Sequence, residues 1–164
     1  MKIKILHICV ADSEGGAAIA SNRLSKLMNE DELISSKMLV LTKNTSDENI
    51  FQIKSLLRFI SRTKNYLNNL FNDFKKSYGL ISFSFLGNDL SSNYLVKKAD
   101  VIYIHWINNG FISLNGLEKI ISLRKPIFLY CHDMWNFTGG CHQSNGCDNY
   151  KINCTNCHYF NNRL

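Results

Sequence analysis

Short apolar stretches rich in β-branched residues alternate with helical patterns along this chain, and this alternation limits its fold more than any other feature. Residues 2–10 form the first stretch, which ends in a turn containing Gly15 and Gly16. A helical pattern runs from Ala17 to about Asn29, and residues 36–42 form the next apolar stretch. This order predicts a βαβ unit with parallel strands. We expect the buried face of the helix to comprise Ala18, Leu24, Leu27 and Met28.

The alternation continues as far as residue 131 and predicts further elements. These are an amphipathic helix over 52–77, a short helix over 94–99, a strand over 100–107, a helix over 114–123 and a buried strand over 125–131. Strands that alternate with helices predict an α/β protein with a mostly parallel, Rossmann-like sheet. We assign residues 1–140 to this domain and residues 141–164 to an irregular cysteine-rich segment.

Composition and charge narrow the class of protein further. The chain has 164 residues, 45% of them apolar, which is enough for one sizeable core. Its apolar stretches are far shorter than the ~20 residues of a membrane span, and its charged N-terminus does not resemble a signal peptide, so we expect a cytoplasmic protein. The net charge of +6 suits phosphorylated ligands, anionic membranes or nucleic acid. Nucleic acid is not an expected partner, because no recognised motif accompanies the charge.

The turn at Gly15 and Gly16 is the first candidate site. Glycine has no Cβ, so a ligand can approach the first amides of the following helix, whose N-terminus attracts phosphate or carboxylate. The motif is neither the three-glycine dinucleotide fingerprint nor a P-loop. A tight strand-to-helix turn without any ligand explains the same residues equally well.

Polar and aromatic residues that follow two predicted strands form the second candidate site. His105 and Trp106 end one strand, and His132, Asp133 and Trp135 follow another. In open parallel sheets, ligands bind beyond the carboxyl ends of the strands. His132 beside Asp133 could transfer a proton or donate a hydrogen bond to a developing phosphate charge. The alternative is structural, since such histidines can cap the backbone and Trp135 can cover the edge of the core.

Four cysteines near the C-terminal end form the third candidate, a metal site. Their spacing is Cys141-x5-Cys147-x6-Cys154-x2-Cys157. Thiolates at this density can supply four tetrahedral zinc ligands, and a C-x2-C pair is a common half of a zinc site. The loose spacing of the first pair leaves an alternative, which is a set of free thiols packed in a loop. A thioredoxin-like site is disfavoured, because this C-x2-C pair does not begin a helix early in a βαβ unit.

The predicted helix over 52–77 has a basic polar face and is the fourth candidate. An amphipathic helix with lysine and arginine on one face can lie on an anionic membrane surface. Docking on the core of the same chain, with the charges left in water, is the favoured alternative.

Three segments of the sequence carry a resemblance to a known family. Lys4-Ile-Leu-His-Ile8 precedes Gly15-Gly-Ala-Ala-x-Ala-x-x-Arg-Leu24, Ile104-His-Trp-Ile-Asn-x-Gly-Phe111 follows, and His132-Asp-Met-Trp-x-Phe-Thr-Gly-Gly-Cys-His142 begins the cysteine cluster. Together they resemble the retaining glycosyltransferases of family 4. The last segment is similar to a bacterial subgroup for exopolysaccharide and colanic-acid-type assembly. The resemblance covers residues 3 to about 158.

The resemblance implies a GT-B fold, in which two Rossmann-like domains face each other across a cleft, and this chain matches the N-terminal, acceptor-side domain. It implies transfer of a sugar from a nucleotide-diphosphate donor to a glycan or lipid-linked acceptor, with no metal in catalysis. It places His132 at the catalytic centre, and Gly15 and Gly16 against the donor phosphates and the acceptor. The residues expected to shape the acceptor side are His105, Trp106, Asp133 and Trp135. Zinc on the four cysteines would be structural.

The chain departs from that family because nothing in it corresponds to the C-terminal domain, which holds the nucleotide sugar and an acidic motif with two glutamates. The last strands of the N-terminal domain are not recognisable either. We therefore expect an incomplete N-terminal half of a GT-B fold, from a truncated or split gene, that is inactive without the other half. The alternative is a non-catalytic, zinc-stabilised binding module or a gene remnant. Lipid binding by helix 52–77 would place the protein at the inner membrane face.

Overall fold

The structure, a computed structural model, describes residues 1–55, 80–155 and 157. The chain divides into two compact units: the sheet unit, Met1–Ser61 with Ser84–His132, and the cysteine-rich unit, Arg62–Phe83 with Asp133–Leu164. The predicted domain boundary after residue 140 stays a prediction. In the part of the chain that the structure describes, no helix is long and apolar enough to cross a membrane.

The described part of the sheet unit contains five strands in the order β3-β2-β1-β4-β5. The strands are β1 (Ile3–Ala11), β2 (Ile34–Thr42), β3 (Ile50–Gln52), β4 (Val101–Ile104) and β5 (Ile127–Leu129). The helices described in this unit are α1 (Gly16–Met28), α2 (Tyr94–Lys98) and α3 (Leu114–Ile121). All pairings among these five strands are parallel. The predicted α/β fold with a Rossmann-like parallel sheet is confirmed.

The central strand β1 is buried on both faces, as is usual for parallel sheets. Leu6 and Ile8 on one face, and Cys9 and Ala11 on the other, are at most 4% exposed. One core cluster joins β1, β2, β3 and α1, and it comprises Cys9, Ala11, Ala18, Met38, Val40 and Ile50. β1 pairs with β2 as far as Ala11 and with β4 as far as Ile8, so the strands leave the sheet at a common carboxyl edge.

Helix α1 lies where the sequence predicts it, but it buries a different face. The buried residues are Ala18, Ser21, Asn22 and Ser25. Leu27 is 62% exposed, so the prediction that it is buried was wrong. Hydrogen bonds replace apolar contacts on this face: the Asn22 amide donates to the Asp12 carbonyl at 2.8 Å, and the Ser25 and Ser36 hydroxyls lie 2.8 Å apart. Small residues let the helix approach the sheet closely enough for these bonds.

Helices α2 and α3 agree with the predicted segments and begin at residues with N-capping side chains. The Asn93 side chain accepts the N–H of Leu95, and the Ser113 hydroxyl accepts the N–H of Gly116. Asparagine and serine before an apolar helical pattern are typical starts, which explains why these two helices could be predicted locally.

Two edge strands differ from the prediction. The sequence analysis does not predict β3, whose last residue, Gln52, was expected to begin the helix over 52–77. The start of that helix at residue 52 is therefore wrong, and its residues 56–77 lie outside the described residues. The strand expected to be buried over 125–131 is the shorter β5, in which Phe128 and Leu129 are 54% and 47% exposed. Among the described strands, β5 pairs with β4 alone, and this edge position explains the exposure.

Candidate functional site

The carboxyl ends of three neighbouring strands bring the predicted site residues of the sheet unit to one edge. β1 ends at Ala11 shortly before the glycine turn, β4 ends directly before His105, and β5 ends three residues before His132. β4 lies between β1 and β5 in the sheet, and all three strands are parallel. The glycine turn and both histidines therefore follow the same edge, which is where open parallel sheets bind ligands.

The glycine turn leaves the start of α1 open. Gly15 is the N-cap residue and has a φ of 86°, in the region that favours glycine. Among the described residues, nothing lies within 4 Å of the place that a Cβ would take at Gly15 or Gly16. In the described part of the chain no side chain caps the helix, and its first turn contains no acidic residue. The first N–H groups of a helix have no partner within it, so this turn suits an anionic ligand.

A buried carboxylate, Asp12, holds the backbone that leads into the glycine turn. Asp12 is 0% exposed. Its carboxylate accepts the backbone N–H groups of Asn44 and Thr45 at 2.9 Å and the Thr45 hydroxyl at 2.6 Å. Burial by itself would raise the pKa of Asp12, but these hydrogen bonds outweigh it and bring the pKa below its usual value. Asp12 thus ties the end of β1 to the loop that follows β2.

Three histidines form a hydrogen-bonded series, here called the histidine chain: His7 in β1, His105 after β4 and His132 after β5. Nδ1 of His7 lies 3.0 Å from Nε2 of His105. Nδ1 of His105 lies 2.9 Å from Nε2 of His132. His7 and His105 are 0% and 2% exposed, whereas His132 is half-buried. The histidine chain therefore runs from the interior of the sheet unit to its carboxyl edge.

Aromatic rings on the same face of the sheet pack against the histidine chain. The ring of Tyr103 stacks on that of His7 with centroids 5.0 Å apart. The ring of Tyr130 lies 5.4 Å from that of His105 and 4.8 Å from that of His132. Alternate residues of a strand face the same side, so β4 and the segment from β5 onwards each contribute every second residue. These contacts restrict the orientation of the imidazoles.

Burial keeps the two inner histidines neutral. Removal from water lowers the pKa of His7 from 6.5 to about 4. Burial, together with the neighbouring His7 and His132, lowers the pKa of His105 from 6.5 to about 3. A charged imidazolium is poorly solvated in an apolar interior, and a like charge nearby disfavours it further. At neutral pH, His7 and His105 therefore each carry a single ring proton.

Trp106 is partly buried and packs against the core cluster that joins β1, β2, β3 and α1. Its carbonyl accepts the backbone N–H of Val10 at 2.8 Å, which links the exits of β4 and β1. These contacts give Trp106 a structural role. Its predicted contact with an acceptor stays a prediction.

In the cysteine-rich unit, Asp133 pairs with His142. The Asp133 carboxylate lies 2.5 Å from Nδ1 of His142, and Nε2 of His142 lies 2.8 Å from the Ser82 hydroxyl. The Trp135 indole donates to the Ser82 carbonyl at 2.9 Å. These bonds connect the segment at residue 82 with the start of the C-terminal loop.

The order of carboxylate, imidazole and hydroxyl in this unit is also that of a serine-hydrolase triad. The surroundings of these side chains indicate a structural role instead. His142 is 4% exposed. The backbone N–H of Ser82 donates to the Gly140 carbonyl at 2.9 Å, next to a β-bridge between Ile81 and Cys141. We therefore conclude that the three side chains have a structural role and connect two segments of this unit.

The four clustered cysteines also belong to the cysteine-rich unit, and all six cysteines of the chain are free. Burial raises the pKa of the Cys141 thiol, and the nearby Cys157, Cys154 and Cys147 raise it further. The four thiols thus lie close enough to interact electrostatically. However, within the described ranges no three histidine, cysteine, aspartate or glutamate side chains form a group that could hold a metal ion. The four-cysteine zinc site stays a prediction.

Two functional candidates, His7 and Asp12, are not predicted from the sequence. His7 lies inside the first apolar strand, where a single polar residue gives no strong local signal. A signal does exist between strands: His7, His105 and His132 all lie in or directly after predicted neighbouring strands. Asp12 is the first residue after β1, a position from which a carboxylate can accept N–H groups of a neighbouring loop.

A pocket of about 190 Å³ lies at the opposite, amino edge of the sheet unit. Its lining includes Lys4, Lys37 and Lys98. None of the predicted site residues contributes to it, so this basic pocket is an alternative binding place for anions.

Comparison with known proteins gives no relative: no protein-family model, no curated protein and no solved structure matches this chain.

Proposed function

We propose that this chain is the acceptor-side part of a retaining glycosyltransferase. It would move a sugar from a nucleotide-diphosphate donor to a glycan or a lipid-linked acceptor in surface-polysaccharide synthesis. The observation that carries the proposal is the shared edge: the open glycine turn before α1 and the histidine chain follow neighbouring parallel strands. The three segments that resemble family 4 glycosyltransferases contain these same residues.

Each part of the edge has a role in this proposal. The first amides of α1, beside Gly15 and Gly16, would donate hydrogen bonds to phosphate oxygens. His132 would lie at the reacting centre, where a polarised N–H stabilises the negative charge that develops on the leaving diphosphate. His105 would support His132 from within the sheet unit, through the contact at 2.9 Å. Trp106 would contribute to the acceptor side. The acceptor-side contacts of Asp133 and Trp135, which lie in the cysteine-rich unit, stay predictions from the resemblance.

The donor would bind mainly to further protein that this sequence does not contain. An exposed apolar strand edge supports the presence of such a partner: Phe128, Leu129 and Tyr130 are 54%, 47% and 49% exposed. Contiguous exposed apolar side chains are typical of surfaces that another domain or protein covers. We place the reaction in the cytoplasm, where nucleotide sugars are the donors and free cysteines persist.

A titration of the isotope-labelled chain tests the anion-binding half of the proposal. Inorganic pyrophosphate and UDP are added while backbone amide resonances are followed by NMR. We expect the largest shift changes at Gly15, Gly16 and His132. Shift changes confined to the pocket at the amino edge, around Lys37 and Lys98, would contradict the proposal.

A matched pair of variants tests whether the glycine turn binds the anion in this titration. Gly16 is the first residue of α1, a position at which proline fits a helix but lacks the N–H group. We expect G16P to weaken pyrophosphate binding about tenfold, the effect of one charge-assisted hydrogen bond. G16A keeps the N–H group and enters open space, so it should bind like the wild type. Equal affinities for both variants would remove the glycine turn from the site.

Sugar transfer itself is tested by co-expressing the chain with the protein encoded immediately downstream and supplying labelled nucleotide sugars. We expect H132A to reduce turnover about a hundredfold, the usual effect of removing one donor that stabilises developing charge. K98A, at the amino edge, is the control and should leave turnover unchanged. Turnover that survives in H132A would refute the role given to His132.

A second candidate function has in its favour the sequence spacing of the four clustered cysteines, Cys141-x5-Cys147-x6-Cys154-x2-Cys157. In this proposal the protein is a non-catalytic binding module whose cysteine-rich unit is stabilised by zinc. Four thiolates would form a closed tetrahedral site, which is structural and leaves no position for a substrate. Zinc would then contribute to folding of this unit rather than to any reaction.

Metal analysis of the purified chain tests the zinc proposal. We expect about one zinc per chain, lost when both Cys154 and Cys157 become serine. C131S is the matched control, because Cys131 is exposed and lies in the sheet unit. Wild-type protein without zinc, with all its thiols reacting rapidly, would refute the site.

Peripheral contact with the inner membrane face is the remaining proposal for a partner. It depends on the basic segment over 52–77, most of which lies outside the described residues. Vesicles that contain anionic phosphatidylglycerol should bind the chain at low salt and release it as salt screens the charges. Equal binding to neutral vesicles would contradict an electrostatic contact.

A further inference from the structure

The histidine chain limits where its ring protons can lie. Each contact, His7 to His105 and His105 to His132, joins two imidazole nitrogens, so one nitrogen must donate and the other must accept. The low pKa values of His7 and His105 leave one proton on each of these rings at neutral pH. With a neutral His132, the three tautomers are therefore coupled rather than independent.

Only two arrangements satisfy both contacts. In the first, all three rings carry the proton on Nδ1: His7 donates to His105, and His105 donates to His132. In the second, all three carry it on Nε2, and the direction of donation is reversed. A mixed arrangement would bring two protons or two lone pairs together in one of the contacts at 3.0 Å and 2.9 Å.

The buried end of the histidine chain distinguishes the two arrangements. Within the described part of the protein, Nε2 of His7 is buried and has no hydrogen-bond partner. In the second arrangement this atom would be a buried N–H group without an acceptor, which is rare in folded proteins. In the first arrangement it is a lone pair without a donor, and both inner contacts are retained. We propose that all three histidines carry their proton on Nδ1, so that His7 and His105 fix His132 as a hydrogen-bond donor.

This assignment has a direct consequence for the site. The Nε2 lone pair of His132 is occupied by the Nδ1–H of His105, so His132 has no basic nitrogen left for removing a proton from a substrate. Its Nδ1–H can only donate, so any ligand atom that contacts this group must be an acceptor such as a phosphate, carboxylate or hydroxyl oxygen. His7 and His105 are positioning residues, since they act through His132. The role of His132 in sugar transfer rests on the function proposed above. The assignment of the three tautomers does not depend on that function.

The direction of hydrogen-bond donation along the histidine chain is also difficult to reverse. Switching to the other arrangement moves a proton along all three rings and requires His7 Nε2 to gain or lose one. That atom is buried and, among the described residues, has no partner with which to exchange a proton. The histidine chain therefore fixes a tautomer instead of conducting protons.

The test is a long-range proton–nitrogen correlation spectrum of the wild-type chain, labelled with ¹⁵N-histidine, at pH 8. This spectrum shows directly which ring nitrogen of each histidine is protonated. We expect a protonated Nδ1 and an unprotonated Nε2 for His7, His105 and His132. A protonated Nε2 in any of the three, or averaged signals from rapid exchange, would overturn the assignment.

A variant tests the coupling. H105L removes the donor to His132, and we expect the His132 signals to change from a single tautomer to an exchange-averaged mixture. His142, whose ring contacts lie in the cysteine-rich unit, is the internal control and should keep its signals. A His132 that keeps its Nδ1 tautomer in folded H105L would show that His105 does not position it. If sugar transfer is absent but the three Nδ1 tautomers are found, the proposed function fails and this inference stands.

Discussion

Acidification should destabilise the sheet unit well above the pH at which carboxylates titrate. His7 and His105 have an ordinary pKa of 6.5 when unfolded, but about 4 and about 3 when buried. The unfolded chain therefore binds protons between pH 6.5 and pH 4 that the folded chain rejects. The stabilisation from these two neutral histidines is fully present above pH 6.5, and it is lost as the pH falls through this window.

The size of the effect follows from the two pKa values. Each proton that the unfolded chain binds and the folded chain does not lowers the free energy of unfolding by roughly 1 to 2 kcal/mol per pH unit. The two histidines together therefore lower it by about 3 kcal/mol per pH unit near pH 5. The loss between pH 7 and pH 4 is then about 6 kcal/mol, which is comparable with the whole stability of many domains. Asp12 and Asp89, whose pKa values are also lowered, contribute only below their ordinary value of 3.8.

The assay is urea unfolding at a series of pH values, followed by tryptophan fluorescence. The chain has two tryptophans, so W135F leaves Trp106 as the reporter of the sheet unit. In H7Q, the glutamine can still form a hydrogen bond but does not titrate, and we expect the slope of stability against pH to fall by about half. D89N is the control, because its effect should not depend on pH above 4. A wild-type stability that is constant from pH 7 to pH 4.5 would refute the argument.

Other substitutions test the packing around the site, each by urea unfolding at pH 7.5. G87A should destabilise the protein by about 3 kcal/mol, because the new Cβ would overlap the backbone of Ile112 and the residue after it, whereas G16A enters open space and should cost little. D12A should cost about 3 kcal/mol, since it leaves two backbone N–H groups and a hydroxyl of the loop after β2 without their acceptor. S113A removes the N-cap of α3 and should cost about 1 kcal/mol. A G87A variant as stable as the wild type, or a D12A variant that loses no more than S113A, would contradict these contacts.

The elements that the sequence predicts well are those with a strong local pattern. β1, α1 and β2 are recognisable from an apolar run, a glycine turn and a helical repeat, and α2 and α3 from short helical patterns. The predictions fail where burial depends on distant neighbours. Leu27 is exposed because serine and asparagine hydrogen bonds bring α1 onto the sheet. The three-residue strand β3 is too short for a periodic signal, and its identity comes from pairing with β2.

The candidate site likewise contains residues that the sequence predicts and contacts that it does not predict. Gly15, Gly16, His105 and His132 could be singled out because residues after parallel strands share an edge, which is a rule that needs no coordinates. The contact between His132 and His105 could not be predicted, since it joins residues that follow two different strands. Nor could the bond from Asp133 to His142, nine residues further on.

The sequence by itself determined the class of this protein, because alternating strand and helix patterns, a glycine turn and residues at strand ends are properties of short segments. It also determined which side chains reach the carboxyl edge. The tertiary structure alone decided that His7, 98 residues away from His105 in sequence, makes a buried contact with it. That contact arises from the adjacency of β1 and β4 and from the alternation of side chains across them, and no local pattern encodes either one.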